Sequence, residues 1–140
     1  MAATRRAEVT WTGSLLEGSG VVSATSSGAF ASLPVTWASR TEQADGRTSP
    51  EELVAAAHAS CYAMAFSAGL GRNGTPPTKL EATAEVDFQP GQGITAIRLH
   101  VKGDVPGLDA AGFKAAAETA KDGCPVSKAL AAVPITLTVA

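Results

Sequence analysis

Apolar and polar residues alternate at period two through the N-terminal part of the chain, and the pattern then gives way to a long uncharged run. Ala7 to Thr12 carries Val9 and Trp11, Gly20 to Thr25 carries a valine pair, and Ala31 to Thr41 carries Leu33, Val35 and Trp37. Period two marks strands with one face turned inward. Gly13 and Gly18 punctuate the first connection and Ser26-Ser27-Gly28 the second, which predicts a three-stranded antiparallel meander. Its last strand carries Arg40 near its end, and the polar segment Glu42 to Thr48 leads on to the uncharged run.

From Leu53 to Gly71 no residue carries a formal charge. Alanine dominates the first half of the run, favouring helix over strand. Its start is legible: Ser49 can accept from an orphan backbone N–H, Pro50 suits the first helical position, and Glu52 completes an S-x-x-E capping box. Glu51 stands in the first turn, where the helix dipole favours a carboxylate. A helix apolar on all sides must be covered. Its Ala, Ser, Gly and His content, in place of Leu, Ile and Val, favours the core helix of a soluble protein over a membrane span. Gly71, Asn73, Gly74, Pro76 and Pro77 end it.

A second β-pattern follows. Lys79 to Gln89 alternates through Leu80, Ala82, Ala84, Val86 and Phe88, Pro90-Gly91-Gln92-Gly93 turns, and Ile94 to Lys102 returns with Ile97, Leu99 and Val101, predicting a hairpin. Asp109 to Lys121 has helical spacing behind an Asp cap, and Asp122-Gly123 breaks it. Cys124 then takes the N-cap position of a short helix with Pro125 at its first position. Ile135 to Val139 alternates as a last strand. Strands and helices in separate blocks predict an α+β fold, a single domain over residues 1–140, with antiparallel β-sheets packed around a long central helix carrying Cys61. One chain of this length supplies too little cover for that helix, which points to a dimer.

Composition narrows the function. The chain has 140 residues, a formal charge of −2 and 45% hydrophobic residues, a balance without a basic patch, so nucleic acid is not the expected partner. The N-terminal residues run straight into a strand pattern without an apolar signal region, which gives a cytoplasmic expectation. In a reducing compartment a structural disulfide is unusual. The cysteines, Cys61 and Cys124, are then buried, metal-bound or redox-active.

Cys61, in the apolar middle of a helix, reads by itself as a small buried hydrophobe. Cys124, at a helix N-terminus, stands where unpaired N–H groups stabilise thiolate, with Lys121 and Lys128 adding positive charge. Arg40 is a candidate cationic partner for a thiolate, its bland alternative being a surface arginine, and Glu51 could orient it through a bidentate pair. His58 lies three residues before Cys61, within reach on a helix. A Cys-His acyl-transfer pair would want an orienting third group that the sequence does not offer, which favours a packed, hydrogen-bonded His58. A zinc site from Cys61, Cys124, His58 and His100 lacks the usual ligand spacing.

Two segments carry a family resemblance. Ser49-Pro50-Glu51-Glu52-Leu53 with Ala56-Ala57-His58-Ala59-Ser60-Cys61, and Ala120-Lys121 with Cys124-Pro125-Val126-Ser127-Lys128-Ala129-Leu130, resemble the two signature regions of the OsmC/Ohr family of osmotically inducible and organic-hydroperoxide-resistance proteins. The region Gly13 to Gly20 lacks the early arginine of the organic-hydroperoxide-resistance branch, and Arg40 is similar to the OsmC branch. Ser49 stands where asparagine is common in the family and Tyr62 where phenylalanine is.

The resemblance implies a thiol-dependent peroxidase working as an intertwined homodimer with two sites at the subunit interface. By motif match Cys61 is the peroxidatic thiol, Cys124 the resolving one, and Arg40 and Glu51 the activating pair. Organic hydroperoxide would be the substrate, with hydrogen peroxide as the second candidate. An external dithiol, a small molecule or a lipoyl protein, would be the reductant, with no metal or organic cofactor. The rivals are a Cys-His thiol hydrolase or acyltransferase and a non-enzymatic dimer binding an apolar ligand.

Glu51 and Cys61 are ten residues apart. In one unbroken helix that is about 15 Å along the axis and about 80° around it, more than side chains bridge. Either the helix breaks between them or Glu51 serves a site on a partner chain; the alanine run favours the partner.

Overall fold

A computed structural model of the chain describes residues 2–140. They form two compact units, one through Leu53 and one from Val54 onward.

In the first unit β1 (Ala7–Thr12), β2 (Ser19–Thr25) and β3 (Leu33–Val35) make the predicted antiparallel meander. A bulge between Glu8 and Val9 shifts the β1–β2 register. The third strand is much shorter than its period-two pattern, because Thr36 starts a helix, α1 (Trp37–Thr41). Thr36 Oγ1 accepts from the Ser39 N–H and Ser39 Oγ accepts from the Thr36 N–H, each at 3.0 Å, a reciprocal cap that outweighs the local strand pattern. Arg40 therefore rides on a helical turn and not on a strand end. Thr48, in a parallel bridge with Val35 and with its N–H on the Pro34 carbonyl at 2.9 Å, ties the following segment to β3.

α2 (Pro50–Arg72) is continuous. Half of the expected capping box forms: Ser49 Oγ accepts from the Glu52 N–H at 3.1 Å, while the Glu52 carboxylate takes the Thr48 hydroxyl at 2.7 Å. By length and composition α2 could cross a membrane. It is not buried all round, as expected, but along one stripe: His58, Tyr62, Phe66 and Leu70, spaced four apart, are each 0% exposed, whereas Met64 is 72% exposed. Spacing of four keeps a stripe on one helix face.

In the second unit that stripe packs on a sheet of β4 (Lys79–Gln89), β5 (Gly93–Asp104) and β6 (Ile135–Val139). Leu99 and Val101 are buried against Tyr62, Phe66 and Leu70, joined by Ala117 and Ala120 of α3 (Ala110–Gly123) and by Cys124. The rings of Phe66 and Phe113 lie 5.1 Å apart and tilted, a favoured aromatic geometry. The opposite face of the hairpin is polar, with Arg98 on Asp87 at 2.7 Å and His100 on Glu85 at 2.9 Å. His100 is thus committed to a cross-strand pair and not to the cysteines.

The β4–β5 pair is the expected antiparallel hairpin, but β6 pairs with β5 in parallel. The cause lies in the connection. α3 and α4 (Pro125–Ala129) carry the chain back before β6 begins, which makes a crossover, and crossovers produce parallel neighbours. α3 also continues through Asp122 and Gly123, past its expected end.

Candidate active site

In the first unit, α1 and the start of α2 bring Arg40 and Glu51 together. Ser39 Oγ donates to the Thr48 carbonyl at 2.9 Å, fastening α1 to the residues that lead into α2. Arg40 Nε then faces both carboxylate oxygens of Glu51 at 3.1 Å, and Nη2 donates to Oε1 at 2.8 Å. The Glu51 side chain is 7% exposed and that of Arg40 29%. The guanidinium carbon also stands 5.7 Å from the centroid of the Trp37 ring, within cation–π range. Carboxylate on one edge and indole on one face hold the planar group in one orientation. In the same unit Val9, Trp11, Val22, Trp37, Pro50 and Leu53 are among the residues lining a cavity of about 540 Å³, and Arg40 shares its wall.

In the second unit, residues from distant parts of the sequence meet around sulfur. Cys61 on α2 is half-buried and Cys124, between α3 and α4, is fully buried; both are free thiols. Cys124 is held by its own backbone, its N–H on the Ala120 carbonyl at 2.9 Å and its carbonyl taking the Lys128 N–H at 3.0 Å. It is the N-cap of α4 as expected, with Pro125 following, though its sulfur makes no ordinary capping bond. The two thiols are close enough for each to act on the other's proton affinity.

Their surroundings differ. Burial pushes the Cys61 thiol up, the Val126 N–H opposes this in part, and Cys124 adds to the rise. Burial acts upward on Cys124 as well. The Ser127 and Val126 N–H groups, near the sulfur without forming a capping bond, act with the Ser127 hydroxyl and the Cys61 thiol to outweigh it, so the net direction for Cys124 is down. Within one chain the surroundings thus favour thiolate at Cys124 over thiolate at Cys61. Lys121 does not contribute as anticipated; its Nζ faces Glu118 at 3.9 Å and Asp122 at 4.0 Å.

His58 is fully buried, with Nε2 2.8 Å from Ser127 Oγ. Burial lowers its pKa, so the imidazole is neutral near pH 7. It is the packed, hydrogen-bonded residue that the sequence favours, but its partner is Ser127, to which the sequence alone assigns no role. The available signal was a hydroxyl three residues after a helix-capping cysteine.

The OsmC-like protein family model matches residues 43–139. Peroxiredoxin OsmC of Escherichia coli strain K12 is 41% identical over 131 residues, spanning 91% of this chain and 90% of that protein, and Peroxiredoxin OsmC of Shigella flexneri matches to the same extent. Among solved structures, the organic hydroperoxide resistance protein OsmC of Legionella pneumophila superposes with a TM-score of 0.72 at 23% identity, covering 99% of each chain. OhrB of Bacillus subtilis superposes with a TM-score of 0.68 at 21% identity, covering 96% of this chain and 98% of that one. These two share the fold, and the family match over residues 43–139 with 41% identity to Peroxiredoxin OsmC over 91% of the chain settles the family: the chain belongs to the OsmC-like protein family, in its OsmC branch.

Proposed function

We propose that this peroxiredoxin-type enzyme reduces organic hydroperoxides with Cys61 as the attacking sulfur and Cys124 as the resolving one. The observation that carries the reading is the contrast within the thiol pair. The thiols are neighbours, yet Cys61 is half-exposed and Cys124 is sealed, so an incoming peroxide reaches Cys61 first and the disulfide can close behind it. Cys61 thiolate attacks the distal oxygen of ROOH, the O–O bond breaks, and the alkoxide takes a proton and leaves as alcohol. Cys124 thiolate then attacks the Cys61 sulfenic acid, and hydroxide leaves and is protonated to water. A dithiol reduces the disulfide by exchange and is itself oxidised to a disulfide. The cytoplasm, where dithiol reductants are abundant, is the compartment that suits this cycle.

The site is shared between two chains. Within one chain burial pushes the Cys61 thiol up and Cys124 adds to the rise, so the attacking sulfur needs a cation from elsewhere. α2 is continuous, and ten residues of α-helix put Glu51 about 15 Å along the axis from Cys61. A homodimer brings the Arg40–Glu51 pair of each subunit to the Cys61 of the other, lowering its thiol pKa, and covers the side of α2 that one chain leaves open. The apolar cavity beside Arg40 supports a bulky organic group on the substrate.

The test mixes a Cys61→Ser chain with a Glu51→Gln chain, each weak by itself, and follows reduction of a bulky organic hydroperoxide. One site of the mixed dimer combines intact Cys61 with intact Glu51, so activity returns toward half that of the unmodified dimer. Verified subunit exchange without recovery contradicts a site shared through Glu51. A hydrolase using Cys61 and His58 is disfavoured because burial opposes the imidazolium that a general base must become.

A further inference from the structure

The thiol chemistry proposed above leaves His58 without a task, and this inference rests on that chemistry. His58 Nε2 is 2.8 Å from Ser127 Oγ, while Nδ1, equally buried, has no hydrogen-bond partner among the described residues. A neutral imidazole has one N–H. An orphaned buried N–H is rarer than an unused acceptor, so the proton belongs on Nε2 and Nδ1 is the bare nitrogen. Nε2–H then donates to Ser127 Oγ and turns the hydroxyl proton away from the ring. Ser127 stands in the first turn of the helix that Cys124 caps, so the Cys124 sulfur is the neighbouring acceptor for that proton.

We propose that His58 is a positioning residue: by donating Nε2–H to Ser127 Oγ it fixes the serine hydroxyl as a donor to Cys124 Sγ, holding negative charge on the resolving sulfur. Its effect falls on two steps. In disulfide closure the Cys124 electron pair forms the S–S bond while the Cys61 S–O bond breaks and hydroxide departs to become water. In recycling, a thiolate of the dithiol attacks half-exposed Cys61, the S–S bond breaks, and the electron pair returns to Cys124, where the Ser127 hydroxyl stabilises it. The dithiol's second thiolate then releases Cys61 and closes the reductant's own disulfide. His58 is not the base that takes the Cys124 proton, because burial disfavours its imidazolium. The titratable groups facing Cys124 are Cys61 and Tyr62, both from α2.

The test begins in full-length Cys61→Ser protein, where Cys124 is the single thiol and the substituted side chain keeps a hydroxyl beside it. Thiolate absorbance is followed against pH. Ser127→Ala and His58→Leu each move the Cys124 midpoint up, His58→Gln, whose amide can donate in place of Nε2–H, brings it back, and the Ser127→Ala/His58→Leu pair goes no further than Ser127→Ala. In the two-cysteine protein, closure after peroxide at neutral pH slows about tenfold in Ser127→Ala, the equivalent of one hydrogen bond to a charged acceptor. An unmoved midpoint in Ser127→Ala overturns the proposal, as does a His58→Gln midpoint that stays with His58→Leu. Should His58→Leu fail to fold, Ser127→Ala and His58→Gln decide. The titration needs no peroxide: if it comes out as stated while hydroperoxide leaves both thiols intact, the relay stands and the peroxidase reading falls.

Discussion

If Arg40 and Glu51 act as one device, replacing either should make the other's replacement nearly harmless. Arg40→Met keeps much of the stem against Trp37 and removes the charge, stranding a carboxylate whose side chain is 7% exposed. Breaking a fully buried pair costs about 3–5 kcal/mol. Arg40 is 29% exposed and water reaches the guanidinium, which brings the expected loss to about 1–3 kcal/mol. Glu51→Gln removes the charge attraction but keeps an acceptor, and should cost about 1 kcal/mol. Both tryptophans of the chain, Trp11 and Trp37, belong to the first unit, so urea unfolding followed by tryptophan fluorescence reports on the unit that holds the pair. The double variant should be less destabilised than the sum of the single ones by about 1 kcal/mol or more. Additivity to within about 0.5 kcal/mol would show that Glu51 does not hold Arg40, and the orienting role given to it would fall.

Three further outcomes follow from the geometry. If the partner's Arg40 lowers the Cys61 thiol as proposed, Arg40→Ala should slow the first reaction with hydroperoxide strongly at neutral pH and recover part of the loss at alkaline pH; a loss equal at all pH values would point to substrate positioning instead. His58, ordinarily near 6.5, has a lowered folded pKa, so the unfolded chain binds the extra proton: stability should be level above that value and fall as the pH drops through it, and His58→Gln should remove this component from the urea midpoints. Tyr62→Phe deletes the buried bond from Tyr62 Oη to the Ala117 carbonyl at 2.9 Å and should lower stability by about 1 kcal/mol, read by urea unfolding followed by circular dichroism, with a change below a few tenths counting against that bond.

Much of the fold was legible because period two and helical spacing are local signals. The hairpin from Lys79 to Lys102 and the Asp109 cap came straight from them. Thr36-x-x-Ser39 shows where a local signal loses to another: the alternation through Trp37 says strand, and a reciprocal cap of two hydroxyls says helix. The parallel pairing of β6 was hidden, since direction depends on where the α3–α4 crossover delivers the chain, which residue patterns do not state. The candidate site was legible for a different reason. Cys61 and Cys124 in their motif context carry a resemblance that neither residue carries alone, and Arg40 with Glu51 follow from it. Ser127 was overlooked because a serine acquires meaning only when a buried imidazole reaches it from another helix.

The central claim is that the two sulfurs work together on a peroxide. The direct measurement adds one equivalent of a bulky organic hydroperoxide to the reduced protein, counts free thiols, and maps the product peptides by mass spectrometry. The account predicts one equivalent of alcohol, loss of both thiols, and an intrachain bond between Cys61 and Cys124. Unchanged thiols would contradict it outright, and sulfinic acid on Cys61 beside a free Cys124 would remove Cys124 from the cycle.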